Sequence, residues 1–238
     1  MEKVIYLVWR EPAMTAEQFS AHLRTVLAQR LLALGACALQ VNVRDDAVAA
    51  ASGLRLINTR PQPEAMLSVW VDSAVDALRA PFDKAVTAAV PGMAAYLVSE
   101  SVPIRNIRHP PRSGERTEGW AQVALLARPA RLTPEAWRDI WQNSHTQVAI
   151  DTQSTFLYVQ NLVIRVLSYG APVYDAIVEE GFPVTAMADS YSFFDAVGDE
   201  AKYQRNYKAM MDSCQRFIDR DRIDVLPTSQ YLIRGLGG

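Results

Sequence analysis

Hydrophobic and polar positions follow the same order twice along this 238-residue chain. Residues 3–10 form an apolar run typical of a buried strand, and residues 38–44 form a second one. Between them, Thr15 and Gln18 have the spacing of a capping box, which predicts that a helix with an apolar stripe begins there. From residue 121 the same three elements return: a strand over 121–128, a helix that begins at Thr133, and a strand over 156–163.

A constant spacing relates the two halves. The paired positions are each 118 residues apart by subtraction: Arg10 and Arg128, Thr15 and Thr133, Phe19 and Trp137, Val41 and Val159. A fixed offset across three elements is typical of an internal duplication. We therefore expect two copies of one fold in a single chain.

Each copy continues with a strand, helical segments and a last strand. The predicted ranges are 65–71, 72–90 and 96–104 in the first copy, and 176–182, 185–197, 200–218 and 229–233 in the second. The order β-α-β-β-α-β is that of the ferredoxin-like split-βαβ motif. The predicted fold class is α+β, with ferredoxin-like repeats at 1–107 and 120–238 and a linker at 108–119 that is rich in Pro, Gly and charge.

One face of each predicted sheet has no helix to cover it. The side chains assigned to this bare face are only half polar: Ala38, Gln40 and Asn42 in the first copy, and Phe156, Tyr158 and Gln160 in the second. Monomeric proteins seldom expose such a face. Two sheets that face each other would bury it, so we expect one antiparallel barrel within the chain, a pseudo-dimeric α+β barrel with these residues in its lumen.

The second copy resembles a known family. The segment Trp137-Arg138-Asp139-Ile140-Trp141, followed by His145, resembles the helix of EthD-domain proteins, which belong to the dimeric α+β barrel superfamily. Residues 158–161 and 174–182 resemble the two strands that follow, and residues 217–219 resemble the end of the last helix. The first copy is similar in outline only, so the chain resembles a tandem duplication of this fold.

The resemblance implies a barrel with a cavity for a small hydrophobic or aromatic molecule. The superfamily includes cofactor-free polyketide cyclases, lactone isomerases, small monooxygenases and haem-binding proteins, and it therefore implies a fold more firmly than a reaction. A single buried histidine is weak evidence for haem. We expect no bound cofactor and no metal.

His145 is the first candidate catalytic residue. It shares one flank of its helix with Trp137 and Trp141, and its counterpart at the 118-residue offset is Leu27. An imidazole in an aliphatic position is costly unless it is hydrogen-bonded. His145 is either a catalytic acid–base or a buried histidine bonded to a backbone carbonyl, and the sequence supports both equally.

Glu179 and Glu180 are adjacent on a predicted strand, so their side chains point to opposite faces. Either carboxyl group could orient His145 or act as a base with a raised pKa. Their counterparts, at an offset of 111, are Ser68 and Val69. The alternative is a strand end that reaches solvent, the usual environment of glutamate.

Five further residues are candidates for ligand binding: Trp70, Trp141, Tyr158, Gln160 and Asn161. Tyr158, Gln160 and Trp70 are predicted to face the lumen, where Tyr158 and Gln160 could bind a phenol or a ketone. Asn161 is predicted on the opposite face, where it could bond a helix or His145. Core packing or sheet-edge hydrogen bonding is the alternative for these residues.

Composition and charge exclude several other classes. The net charge is −2, and the basic stretch 105–116 is interrupted by proline and glycine, so we expect no nucleic-acid or membrane partner. Two cysteines form no disulfide framework, and residues 1–12 lack the cleavage site of a signal peptide, so we expect a cytoplasmic protein. Phosphate-binding loops, nucleophile elbows and H-E-x-x-H pairs are absent from the sequence.

Three functions remain open on this evidence. The first is a cofactor-independent lyase, cyclase or isomerase of an aromatic or polyketide-like compound. The second is a non-catalytic ligand-binding accessory protein of a catabolic pathway. The third is an interaction module in which the paired sheets serve only assembly, and pairing of two chains into a homodimer is open in each case.

Overall fold

The computed structural model describes residues 1–237, in which eight antiparallel strands form one closed barrel. The strands are β1 Glu2–Trp9, β2 Ala38–Val43, β3 Ala65–Val71, β4 Gly92–Ile104, β5 Trp120–Leu126, β6 Leu157–Val166, β7 Ala176–Phe182 and β8 Ile223–Arg234. Their order around the barrel is β1-β3-β2-β8-β5-β7-β6-β4. The predicted α+β fold with an intramolecular pseudo-dimeric barrel is confirmed.

Two equivalent seams join the copies. The order within each copy is β4-β1-β3-β2 or β8-β5-β7-β6, which is the ferredoxin-like order in both cases. β2 pairs with β8 and β4 pairs with β6, so each seam joins the second strand of one copy to the fourth strand of the other. The backbone hydrogen bonds that two identical subunits would exchange are therefore made within one chain.

Helical segments connect the strands of each copy. Their bounds are Ala16–His22, Leu23–Leu27, Ala28–Ala33, Asp46–Leu54, Asp76–Thr87, Pro134–Arg138, Asp139–His145, Thr146–Thr152, Val184–Met187, Ser190–Phe193, Glu200–Gln215 and Arg220–Arg222. Leu23–Leu27 and Asp139–His145 are π-helical and end at equivalent positions, since Leu27 and His145 are 118 residues apart by subtraction. Such bulges often occur at functional sites. No helix in residues 1–237 has the length and apolar character needed to cross a membrane.

Local capping starts the long helix of each copy where the sequence predicts it. The Thr15 side chain accepts a hydrogen bond from the Gln18 amide, and the Gln18 side chain accepts one from the Thr15 amide, which completes the capping box. In the second copy the Thr133 hydroxyl accepts from the Ala136 amide, and Pro134 occupies the first helical turn.

The apolar core has one layer in the lumen and one under the helices of each copy. Ile5, Tyr96 and Ile177 belong to the lumenal cluster. Leu23 and Leu27 of the first long helix pack on the sheet of their own copy. Trp137 and Trp141 do the same in the second copy.

The second strands of the two copies differ by one residue in register. Leu39 pairs with Val69, and Tyr158 pairs with Glu180. Val69 and Glu180 are 111 residues apart, whereas Leu39 and Tyr158 are 119 apart, one more than the offset of the helices. Because side chains alternate along a strand, this one-residue shift moves every side chain of β6 to the opposite face.

The predicted faces of β6 are therefore wrong, whereas those of β2 are correct. Gln160 donates to the Thr146 hydroxyl on the long helix, and Tyr158 lines the space beneath the helices, so Tyr158 and Gln160 face the helices and not the lumen. Phe156 precedes β6 and packs with Leu157 and Val159. On β2, Gln40 bonds Glu179 of β7, and β8 and β5 separate these two strands in the barrel. Gln40 and Asn42 therefore do face the lumen.

Candidate functional site

A cavity of about 520 Å³ lies between the sheet of the second copy and its helices. Aromatic and apolar side chains form most of its wall, including Trp141, Phe193, Phe194, Met210 and Phe217. A volume of this size suits a small organic molecule, and a mainly apolar wall with a few polar groups is typical of such sites.

Three polar side chains cross the floor of the cavity in one row. Gln122 of β5 pairs with Glu180 of β7, which pairs with Tyr158 of β6. All three contribute to the cavity wall. The Gln122 side-chain amide donates to Glu180 Oε2 at 3.0 Å.

The equivalent row of the first copy is entirely aliphatic. It consists of Val4, Val69 and Leu39, which pair in the same way across β1, β3 and β2. All three are fully buried in the core of the first copy. The polar floor is therefore a property of the second copy and is not required by the fold.

Glu180 is a buried carboxyl group poised to exchange a proton near neutral pH. Burial raises the pKa of Glu180 to about 7, and the hydrogen bond from Gln122 opposes this rise. A group with a pKa near the working pH is the most effective acid–base catalyst, because both of its protonation states are populated.

His145 is also buried, but burial lowers its pKa instead of raising it. Its Nδ1 lies 2.9 Å from the Ser213 hydroxyl oxygen, and its ring centroid lies 4.6 Å from that of Phe217. Burial, assisted by the nearby charge of Arg216, lowers the pKa of His145 to about 4. The imidazole is therefore neutral at pH 7 and acts as a hydrogen-bonding group there. The equivalent Leu27 is buried in an aliphatic environment.

Tyr158 keeps its proton at physiological pH. Its hydroxyl oxygen accepts from the Gln160 amide at 3.1 Å, and burial, followed by the charge of Glu180, raises the pKa of Tyr158. The same Gln160 amide donates to Thr146 at 2.7 Å. Gln160 thus links Tyr158 to the helix through two hydrogen bonds. Tyr158 itself lines the cavity together with Trp141.

Three of the predicted site residues lie on the lumenal side of the barrel, away from this cavity. Glu179 accepts hydrogen bonds from Gln40 and Gln230, and burial raises its pKa. Asn161 donates to the Ile177 carbonyl oxygen, so the predicted bond to a helix or to His145 is wrong. The lysine ammonium of Lys3 lies 4.6 Å from the centroid of Trp70.

Several cavity residues were not predicted. Gln122 interrupts the apolar run 120–126, and a glutamine inside a buried strand could have drawn attention to it. Gln153 follows the end of its helix, where the sequence has no distinctive pattern. The same holds for Ser213 on the helix Glu200–Gln215, which bonds His145 without lining the cavity. Leu56 comes from the other copy, and no local sequence signal places it here.

Leu56 belongs to a loop of the first copy, residues 44–63, that crosses to the second copy; we call it the crossing loop. Leu56 lines the cavity and exchanges two backbone hydrogen bonds with Val225, at 3.2 and 3.0 Å. Next to Val225, the buried carboxylate of Asp224 accepts bonds from the Asn58 amide at 2.9 Å and the Gln62 side chain at 3.0 Å. The two copies therefore build one wall of the cavity together.

Metal-binding side chains are not grouped in the described part of the chain. Within residues 1–237, no cluster of three or more His, Cys, Asp or Glu side chains has the arrangement of a metal site. The polar side chains of the cavity wall carry one carboxyl group, one imidazole, two phenols, one guanidinium, one thiol and three amides, which suit proton transfer and hydrogen bonding.

Comparison with known families confirms the resemblance for part of the second copy. Residues 129–221 match the EthD domain. This segment includes Trp141, His145, Tyr158 and Glu180, while Gln122 and Leu56 lie outside it. A search of curated proteins found no significant match.

Solved structures of similar fold span nearly the whole chain. An anthrone oxidase-like protein aligns with a TM-score of 0.54 at 8% identity, over 100% of this chain and 93% of that one. Two proteins named “putative monooxygenase”, from Lactobacillus acidophilus NCFM and Fusobacterium nucleatum, align over 98% of this chain and 95% and 92% of theirs. Their TM-scores are 0.45 and 0.46, at 12% and 9% identity. At such identities, the likeness to the anthrone oxidase-like protein supports the fold alone.

Proposed function

We propose that the EthD domain of this chain binds a small aromatic or polyketide-like molecule and catalyses a cofactor-independent proton transfer on it. The observation that supports this most is the Glu180 carboxyl group, which has a pKa of about 7 inside a largely apolar cavity. A carboxyl group with a strongly raised pKa in a cleft is a common mark of an acid–base catalyst.

Glu180 is the base in this proposal. Its carboxylate takes a proton from an acidic C–H bond next to a carbonyl group, and the electron pair of that bond moves into the ligand to form an enolate. Return of the proton to a different atom completes an isomerisation. Alternatively, the enolate carbon attacks a second carbonyl group, the C=O π electrons move to its oxygen, and that oxygen takes the proton back from Glu180, which completes a cyclisation. Neither step needs an oxidant or a reductant.

Neutral His145 and protonated Tyr158 have supporting roles. Both lie at the same cavity and carry hydrogen-bonding groups that suit a developing enolate oxygen. Donors in an apolar site stabilise such a charge more strongly than water-exposed donors do. Trp141 and the phenylalanine rings supply flat apolar surface for the ligand.

Anthrone is a suitable probe because it is a tricyclic aromatic ketone whose methylene group loses a proton to give an aromatic enolate. The name of the structurally similar anthrone oxidase-like protein suggests it. The assay follows exchange of the methylene hydrogens for deuterium in oxygen-free D₂O by NMR. We expect the protein to accelerate exchange, and Glu180→Gln to reduce this acceleration at least about a hundredfold while anthrone still binds.

The matched control is Glu179→Gln, which removes the adjacent carboxyl group on the lumenal face of β7. It should retain the exchange rate. Equal losses in both variants would contradict the role of Glu180. Anthrone binding without accelerated exchange in the unmodified protein would instead support the ligand-binding accessory role.

A further inference from the structure

One hydrogen bond decides which ring nitrogen of His145 carries the proton. Within residues 1–237 the imidazole bonds only the Ser213 hydroxyl, whose oxygen lies 2.9 Å from Nδ1. In a neutral imidazole one nitrogen donates and the other accepts, and the bond made by one nitrogen sets the character of the other. Either Ser213 donates to Nδ1 and the proton is on Nε2, or Nδ1–H donates to Ser213 and Nε2 is an acceptor.

The surroundings of Ser213 distinguish these two arrangements. Ser213 lies on the helix Glu200–Gln215 and is 4% exposed. Its hydroxyl bonds no group other than His145 within residues 1–237, so it does not donate to a backbone carbonyl oxygen of its own helix. If Nδ1–H were the donor, the buried hydroxyl hydrogen would have no acceptor, which is costly. Ser213 therefore donates to Nδ1, and the neutral ring carries its proton on Nε2.

The Nε2 atom of His145 is open to the cavity. The ring lines the cavity, and Nε2 bonds no side chain or backbone group of residues 1–237. Some other unpartnered polar atoms of the chain are sealed from solvent, but Nε2 is not one of them. A molecule in the cavity can therefore reach Nε2–H, which offers it a hydrogen-bond donor.

This donor lies in the same cavity as the base of the proposed reaction. Glu180 and His145 both line the wall, and burial keeps the imidazole neutral at pH 7 because it lowers the pKa of His145 to about 4. An N–H donor suits a carbonyl oxygen, which becomes the enolate oxygen when Glu180 removes the neighbouring proton. In the opposite tautomer, Nε2 would repel that oxygen.

We propose that Ser213 is a positioning residue that holds His145 as the Nε2–H tautomer, and that the cavity thereby selects aromatic ligands with a carbonyl oxygen. Ser213 does not line the cavity itself, so it acts only through His145. This inference rests on the proposed function and names the chemical group by which the same site recognises its substrate.

NMR of the protein with ¹⁵N-labelled histidine tests the tautomer without any ligand, since protonated and unprotonated ring nitrogens differ strongly in chemical shift. The His145 signals are assigned by their loss in His145→Leu. At pH 8 we expect a protonated Nε2 and an unprotonated Nδ1. Ser213→Ala removes the donor to Nδ1, so both tautomers become populated and the two shifts should approach each other. Ser213→Thr retains a hydroxyl and should keep the original shifts.

The control is Ser144→Ala, next to His145 in the chain. The Ser144 hydroxyl accepts from Arg216 at 2.8 Å and does not bond the ring, so its loss should leave both shifts in place. A proton on Nδ1 in the unmodified protein, or unchanged shifts in Ser213→Ala, would overturn the inference and leave the role of Glu180 standing. A fall in the Tm of Ser213→Ala without any change in the shifts would make Ser213 purely structural.

Anthrone and dihydroanthracene test the ligand class, because they share three fused rings and differ by a single carbonyl group. Equilibrium dialysis gives the Kd of each. We expect the unmodified protein and Ser213→Thr to bind anthrone at least about fivefold more tightly, the effect of about one net hydrogen bond, and the two Kd values to agree within about twofold in His145→Leu. Equal affinities in the unmodified protein would overturn the inference. A preference for anthrone without accelerated deuterium exchange would contradict the proposed catalysis alone.

Discussion

Replacing Glu180 by glutamine should stabilise the protein by an amount that grows with pH. In the folded state burial raises the pKa of this carboxyl group from 4.5 to about 7, so the folded state holds its proton more tightly than the unfolded state does. Between pH 4.5 and 7 the folded state therefore binds more protons, and the free energy of unfolding falls as pH rises. Glu180→Gln removes this loss, because an amide does not ionise.

The magnitude follows from the pKa. Each pKa unit corresponds to about 1.36 kcal/mol, so a rise from 4.5 to about 7 makes the ionised carboxylate unfavourable by about 3 kcal/mol above pH 7. Near pH 4 both side chains are neutral, and the introduced amide oxygen can still accept from Gln122. The difference in unfolding free energy should thus increase by about 3 kcal/mol between pH 4 and pH 8.

Urea denaturation of both proteins at a series of pH values measures this difference. The test uses the difference in unfolding free energy between the two proteins and not the wild-type values alone, because ionisation of His145 changes stability with pH in the opposite direction. Its folded pKa is lowered from 6.5 to about 4, so its contribution to stability is lost as pH falls through that range. Subtracting the two curves removes the His145 contribution.

Glu11→Gln is the control, because it removes a carboxyl group at an exposed position and so tests the substitution without the burial. A Glu180→Gln difference that is flat between pH 4 and pH 8 would show that Glu180 titrates like an ordinary carboxyl group. The acid–base role assigned to it would then lose its physical basis.

Three further predictions concern the asymmetry of the copies, their assembly and the crossing loop. His145→Leu, which imitates the first copy, should fold with equal or greater stability and lose ligand binding or turnover at least about tenfold, whereas Leu27→His should destabilise the protein by about 1–3 kcal/mol and add no activity. Thermal melts and binding assays measure both effects. If His145→Leu unfolds the protein and its folded fraction keeps its ligand affinity, the histidine is structural. Proteolytic cleavage near Gly114 should leave the proposed repeats 1–107 and 120–238 associated during gel filtration, and their separation as folded monomers would contradict the intramolecular barrel. Asp224→Ala should accelerate hydrogen exchange at the Leu56 amide roughly tenfold or more, because each hydrogen bond to a charged group contributes about 1.5–3 kcal/mol, and an unchanged rate would show that Asp224 does not hold the crossing loop.

Periodicity alone predicts most of this fold. The strands 65–71 and 176–182 are predicted at their observed bounds. The first is a mainly apolar run, and the second occupies the equivalent place in the second copy, 111 residues later. The capping box at Thr15 is a local feature and forms as predicted. The offset of 118 residues holds along the long helices, as far as Leu27 and His145. The offset also makes His145 the equivalent of Leu27, so the sequence alone identifies it as a polar residue at a position that is apolar in the first copy.

The faces of β6 could not be predicted from the same offset. One additional residue between the long helix and Tyr158 exchanges the two faces of β6. A strand that is buried on both faces has no alternating sequence pattern that would reveal this shift. The role of Leu56 depends on tertiary contacts, because it reaches the cavity from the other copy.

The protonation of Glu180 tests the central claim most directly. Carboxyl-¹³C glutamate labelling, with the Glu180 signal assigned by its loss in Glu180→Gln, gives the pKa by NMR titration with and without anthrone. The account predicts a midpoint near pH 7 in the free protein and a changed midpoint when the ligand fills the cavity. A midpoint below about 5, as for an ordinary glutamate, or one that bound ligand leaves unchanged, would contradict it.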